Sequence, residues 1–366
     1  MSMASGATTL ADVTCSAAAA LGVPGYQDVL SLDAPRHVVL CLVDGLGWNA
    51  LQSHLRAVPN LADLPGAQID AAFPTTTPVG LASVGMGELA GRHGFVGASF
   101  ELPDTGAVLS PLQWGHHPTP LAVQPETTVF ERLAQQGVVV STLSPQAYVN
   151  SGLTRAVLRG GEYRGVESID DRVTGLRAVQ ASGGPSFTYV YWGELDRVGH
   201  EMGVGSSAWG AALTRVDRLI GGLRESLAPD SVLLVTADHG MVDCPEERRI
   251  VLEDHRSLSG GVRRWAGEPR VRHVYTEVGA QDAVADRWRG ELADRVDIFT
   301  REEIIDAGLM GPVDPLLAER IGDVVAVARE DWMMASRVDR TVSGLIGQHG
   351  SLSADELLIP LLMART

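Results

Sequence analysis

Cysteine is scarce in this chain, with three in 366 residues at positions 15, 41 and 244 and no Cys-x-x-Cys pair among them. An odd number without paired spacing implies no disulfide framework and suits a reducing compartment, so a cytoplasmic protein is expected. Long apolar runs are also missing. No stretch reaches the roughly 18 apolar residues that a membrane-spanning helix needs. The alanine-rich start, MSMASGATTLADVTCSAAAALG, lacks the basic residues and apolar length of a signal peptide. Positive charge is the third deficit: 45 acidic residues against 29 basic ones leave a formal net charge of −16. With no basic surplus to displace counterions, DNA and RNA polymers are not expected as partners. A small phosphorylated substrate stays open, because metal ions would meet its charge.

What is present is a large apolar fraction. At 45% apolar and 20% charged residues, the chain reads as globular, and it is long enough for a sizeable core. Short β-branched runs alternate with longer amphipathic ones. Strands are expected at 37–43, 69–72, 138–141, 187–192, 231–237, 271–275, 296–299 and 324–328. Helices are expected at 47–57, 79–88, 127–136, 168–181, 206–227, 282–292 and 302–307. Continuous apolar strands separated by helices predict an α/β fold, a mostly parallel central sheet covered on both faces in three αβα layers. A single domain over 1–366 is expected, with insertions or lids at 98–125 and 242–272, where Pro, Gly, His and charged residues break the rhythm.

Metal-type side chains sit at the ends of these runs. Asp44 ends HVVLCLV, Asp238 and His239 end SVLLVTA, and Asp196 and His200 follow FTYVYW. Open parallel sheets place ligand sites beyond the carboxyl ends of their strands, so these groups are expected to converge. Asp196 and His200 are four apart and would face one ion from a helical turn. An Asp after a strand is also a common helix N-cap, which is the bland reading of Asp44. An adjacent Asp and His before Gly240 is more specific, offering oxygen and nitrogen ligands together. In FPTTTPVG, Thr77 precedes Pro78 and a predicted helix, so it is expected at the N-cap. That position also suits a nucleophile, since helix N-termini hold anions and a hydroxyl needs a base or a metal for activation. His349 in GQHG is isolated in sequence but would supply a further imidazole. His116 and His117 in the PLQWGHHPTP loop are candidates for the substrate side.

At these residues the chain resembles the alkaline phosphatase superfamily, most closely its type I phosphodiesterase/nucleotide pyrophosphatase branch, over about residues 37–360. The resemblance implies two divalent ions, zinc by preference, one held by Asp44, Thr77, Asp238 and His239 and the other by Asp196, His200 and His349. It implies Thr77 as the nucleophile of a covalent phospho-threonine intermediate, with Thr76 as the alternative register. It also predicts a side-chain donor to phosphate three residues after the nucleophile, a position occupied here by Gly80. Phosphodiester or nucleotide hydrolysis is the expected activity, with phosphomonoester or phosphonate hydrolysis, or a catalytically inactive metal-binding module, as the alternatives. No Cys-x-Pro-x-Arg or Ser-x-Pro-x-Arg segment is present, which argues against a sulfatase.

Overall fold

The structure is a computed structural model that describes residues 7–116 and 118–366. Its centre is a seven-stranded sheet in the order Gly66–Asp70, Leu358–Arg365, Ser231–Thr236, His37–Val43, Ser186–Trp192, Val139–Ser144 and Glu162–Gly165. The last five run parallel, with His37–Val43 in the middle. Every residue of HVVLCLV is buried, as a central strand covered on both faces requires. Helices Ile169–Gln180 and Ser207–Glu225 lie in the crossovers that lead to Ser186–Trp192 and Ser231–Thr236, each started by a serine whose hydroxyl accepts an N–H of the first turn.

The C-terminal strand, Leu358–Arg365, lies inside this sheet and is antiparallel to both neighbours. Its Pro360 conceals it in the sequence, because proline cannot donate to a ladder and argues against an interior strand. The register resolves the conflict. Pairing with Ser231–Thr236 begins only at Leu362, so Pro360 has a neighbour on one side alone, Gln68.

The remaining expected strands depart from the prediction. Val271–Thr276, Val296–Thr300 and Val324–Ala328 do not join the parallel sheet. With Val262–Glu268 they form a separate antiparallel sheet. A core of its own, around Trp288, Leu292, Val274 and Val324, lies beneath it. A short apolar run says that a strand is buried but not which sheet it joins. The stretch 242–272, expected as an insertion, therefore supplies the first strand of this second sheet. The other expected insertion, 98–125, holds a hairpin of Phe100–Leu102 and Ala107–Leu109. Beyond it Trp114 packs so closely on Gly152 that a Cβ there would lie 2.0 Å from the indole. This seats the loop against helix Gly152–Val157.

Candidate active site

Three chain segments leave the parallel strands at one edge and bring three carboxylates together. Asp44 directly follows His37–Val43, and its N–H donates to Trp192 O at 2.9 Å. Gly45 then turns with φ +75°, and a Cβ on it would come within 2.9 Å of Asp196 Cα, so glycine is what permits the approach. The Gly45 N–H donates to Asp238 Oδ1 at 3.3 Å, as does the His239 N–H at 3.1 Å. Asp196 and His200 lie one turn apart on helix Glu194–Met202, with His200 Nε2 3.4 Å from Asp196 Oδ1. His349 approaches from the loop after Gly347–Gln348, its Nε2 3.9 Å from the same oxygen. His239 Nε2 is 3.5 Å from Asp44 Oδ1 and 3.6 Å from Asp238 Oδ2, and its ring stacks on His349 at 3.7 Å.

The donor set fits divalent metal ions on two counts. Asp44 Oδ1, Asp196 Oδ1 and Asp238 Oδ2 are buried without a hydrogen-bond partner among the described residues, and buried polar atoms are rarely left so. Each imidazole, moreover, points Nδ1 at a carbonyl: Gly347 O for His200 at 2.7 Å, Gly240 O for His239 and Thr75 O for His349, both at 2.9 Å. A carbonyl can only accept, so Nδ1 carries the proton and Nε2 keeps its lone pair for a metal. Ligand atoms of Asp44, Asp238 and His239 lie within 4.8 Å of one another, and so do those of Asp196, His239 and His349. His239 thus stands between the two groups.

Burial, then the charges of Asp238 and Asp196, hold the Asp44 carboxyl well above the usual carboxylate range, although a short hydrogen bond from the Tyr191 hydroxyl opposes this. Asp238 is raised for the same first reason, with His239 pulling it back. Burial, His239 and His200 hold His349 well below the ordinary imidazole value. Behind His349 lies Glu268, which burial pushes up to about 8 against the Thr76 hydroxyl and Arg272. A carboxyl with a higher pKa folded than unfolded keeps a proton that the unfolded chain has lost, so its contribution falls as pH rises between the two values. For Glu268 that window runs from 4.5 to about 8, and Asp44 and Asp238 act in the same direction from 3.8 upward. His349 opposes them only below its ordinary 6.5. From about pH 7 to about pH 8 the chelator-treated protein is therefore expected to lose about 2 °C or more in melting temperature. Added zinc should reverse the loss; a melting temperature that is flat or rising over that interval would contradict it.

Thr77 opens helix Thr77–Met86, with Thr76 as the N-cap, one residue earlier than expected. Its Oγ1 is 3.2 Å from His239 Nε2. Beyond Thr77 and Asp44 extends a cavity of about 660 Å³ whose lining mixes aromatic and apolar residues, Tyr148, Tyr163, Tyr191 and Leu153 among them, with charged ones such as Glu167, Arg172 and Arg197. Leu112 of the 98–125 loop overhangs its rim. Two expected substrate contacts are corrected. Position 80 faces Asp238 rather than the cavity: a Cβ on Gly80 would lie 2.5 Å from Asp238 Cβ, so the residue is a spacer that lets the helix pack against Asp238. His116 is exposed and does not line the cavity. His117 lies outside the described residues. Tyr191 and Glu268 were not anticipated, since an aromatic in a buried strand reads as core and GEPR reads as a charged loop.

Comparison with known proteins agrees with this geometry. The profile of the type I phosphodiesterase / nucleotide pyrophosphatase family matches residues 38–352. The chain belongs to that family. It is 25% identical over 213 residues to human ectonucleotide pyrophosphatase/phosphodiesterase family member 5, a match spanning 55% of this chain and 42% of the human protein. The chain thus matches less than half the length of that curated relative. In fold it is similar to the murine protein 5 of the same name (TM-score 0.72, 22% identity, 89% of this chain and 87% of that one). The murine protein is also known as an inactive threonine-to-alanine variant in complex with AMP. Phosphonoacetate hydrolase from Sinorhizobium meliloti 1021, in complex with phosphonoformate, is a further neighbour (TM-score 0.67, 17% identity, 90% of each chain).

Proposed function

We propose that the chain hydrolyses phosphoric esters, phosphodiesters and nucleotide pyrophosphates ahead of monoesters, through Thr77 and two zinc ions. The observation that carries this reading is a buried hydroxyl, Thr77 Oγ1, that lines the cavity and lies 3.2 Å from His239 Nε2, the imidazole shared by two groups of metal-type ligands whose carboxylates have unpartnered oxygens. Asp44, Asp238, His239 and Thr77 would hold one ion, and Asp196, His200 and His349 the other. When bound, such ions supply Lewis-acid charge for an alkoxide and for the phosphoryl oxygens.

The chain's own residues do the rest. Thr77 attacks phosphorus and bonds to it as the bond to the leaving alcohol breaks, and water later releases the phosphoryl group from Thr77. The start of helix Thr77–Met86 favours negative charge on the transferred group. Tyr191 holds Asp44 through its hydroxyl, and three backbone carbonyls fix the three imidazoles. The aromatic and apolar residues within the cavity lining give an organic substituent on phosphorus somewhere to lie, which favours a diester over a monoester. The nucleotide pyrophosphatase family to which the chain belongs and the AMP complex of its murine relative point the same way.

The test is a parallel assay of p-nitrophenyl phosphate, its bis-ester and thymidine 5′-(p-nitrophenyl) phosphate with added zinc. The diesters are expected to lead in kcat/KM by at least about tenfold, or about 1.4 kcal/mol in transition-state binding. A monoester lead would make the protein a phosphomonoesterase. Turnover of none of the three by zinc-loaded protein would make it a binding module.

A further inference from the structure

The turn Glu268–Pro269–Arg270 joins two strands of the antiparallel sheet and enters the catalytic part of the molecule behind the His349 loop. Arg270 and Glu356 are fully buried and meet in two hydrogen bonds, at 2.9 and 2.6 Å. Glu356 also accepts the Ser351 N–H at 2.9 Å. The Ser351 carbonyl accepts the Thr75 hydroxyl at 2.8 Å, and the Thr75 carbonyl accepts His349 Nδ1 at 2.9 Å. The turn is therefore pinned to the loop that carries His349 and to the segment that carries Thr77.

That pin delivers a carboxylate to an unusual place. Glu268 is 5% exposed, its Oε2 lies 3.9 Å from His349 Nδ1, and its Oε1 has no hydrogen-bond partner among the described residues. The neighbouring cation, Arg272, is committed to the Met334 carbonyl and to Asp339. Gly350 makes room, for a Cβ there would come within 2.9 Å of the Glu268 carboxyl carbon. A buried carboxylate with a free oxygen is costly unless positive charge offsets it. Glu268 is on the wrong side of His349 to ligate an ion, since Nε2 faces Asp196. It lies on the opposite side of the ring, behind the Nδ1–H that the Thr75 carbonyl accepts, where its charge rather than a hydrogen bond acts on His349.

We propose that Glu268 is a positioning residue of the metal site: with the Nδ1–H of His349 held by the Thr75 carbonyl, its carboxylate stands 3.9 Å behind that nitrogen and supports the ring by its charge while Nε2 holds a divalent ion. The proposal rests on the two-ion reading above. With both sites filled the charges would match, since ionised Asp44, Asp196, Asp238 and Glu268 would bring four negative charges to two divalent ions.

The test compares zinc binding by the full-length wild type and Glu268→Gln, both stripped with chelator and titrated against a chromophoric competitor, with melting of the stripped proteins alongside. The wild type is expected to take up two ions. In Glu268→Gln one ion should bind about 10–100-fold more weakly and the other as in wild type, while the stripped variant melts no lower than the stripped wild type. Two unchanged affinities would overturn the proposal and leave the two-ion reading in place. So would a stripped variant that melts lower and loses both sites together, which is the signature of a purely structural residue. A wild type that binds a single ion would overturn the two-ion reading and the proposal with it.

Discussion

Thr77→Ala is expected to reduce hydrolysis of the preferred ester at least about 10³-fold while the protein folds and still carries close to two zinc ions per chain. The rate loss follows from chemistry. Without Oγ1 no other hydroxyl among the described residues bonds His239 Nε2, and the covalent route closes, leaving only binding and charge stabilisation, which alone retain a small part of such a rate. Stability should change little. Thr77 is the first residue of its helix, alanine is a good helix former, and the cap belongs to Thr76. Metal content should hold because Asp44, Asp238 and His239 remain as ligands. Initial rates and elemental analysis on the same preparation check both halves. Retention of most activity would remove Thr77 from the role. Thr76 is a poor substitute, since its hydroxyl acts on the Glu268 carboxyl, and the hydroxyl beside His239 Nε2 is that of Thr77.

The side chains of the site were legible because of where they stand. Asp44, Asp238 and His239 end apolar runs that read as buried strands, and an open parallel sheet gathers whatever follows those ends. Asp196 and His200 announced themselves through four-residue spacing. The parallel core and the family were legible for the same reason, since the chain's strongest patterns lie in the strands that build the site. What stayed hidden depends on contacts distant in sequence. Val271–Thr276 and Val324–Ala328 look like the central strands by composition, and only their pairing with each other and with Val262–Glu268 puts them in a second sheet. Gly80 seemed to stand where a phosphate donor belonged. The direction of its missing Cβ, into Asp238, could not be read without the helix and strand in place. Glu268 is separated from His349 by 81 positions, and a charged residue in GEPR carries no mark of burial.

Asp238→Ala is expected to have the second large effect, and unlike Thr77→Ala it should remove metal along with rate. The carboxylate is fully buried, with Oδ1 held by the Gly45 and His239 N–H groups and Oδ2 free for an ion. Alanine deletes the ligand and also leaves those two N–H groups without their acceptor, so part of the loss comes through the Gly45 turn that positions Asp44 and Asp196. Asp238→Asn separates the two effects. Its carbonyl still accepts both N–H groups, while the amide nitrogen in place of Oδ2 is no ligand. Both variants should lose at least one of two zinc ions by elemental analysis and at least about 10³ in rate, and alanine alone should also lower the melting temperature of the stripped protein. The asparagine variant should in fact melt above stripped wild type near pH 8, because it removes one of the carboxylates that burial and mutual repulsion penalise there. If Asp238→Asn kept two ions and a rate within about tenfold of wild type, Asp238 would not be a metal ligand, and the ion assigned to Asp44, Asp238 and His239 would have to be placed elsewhere.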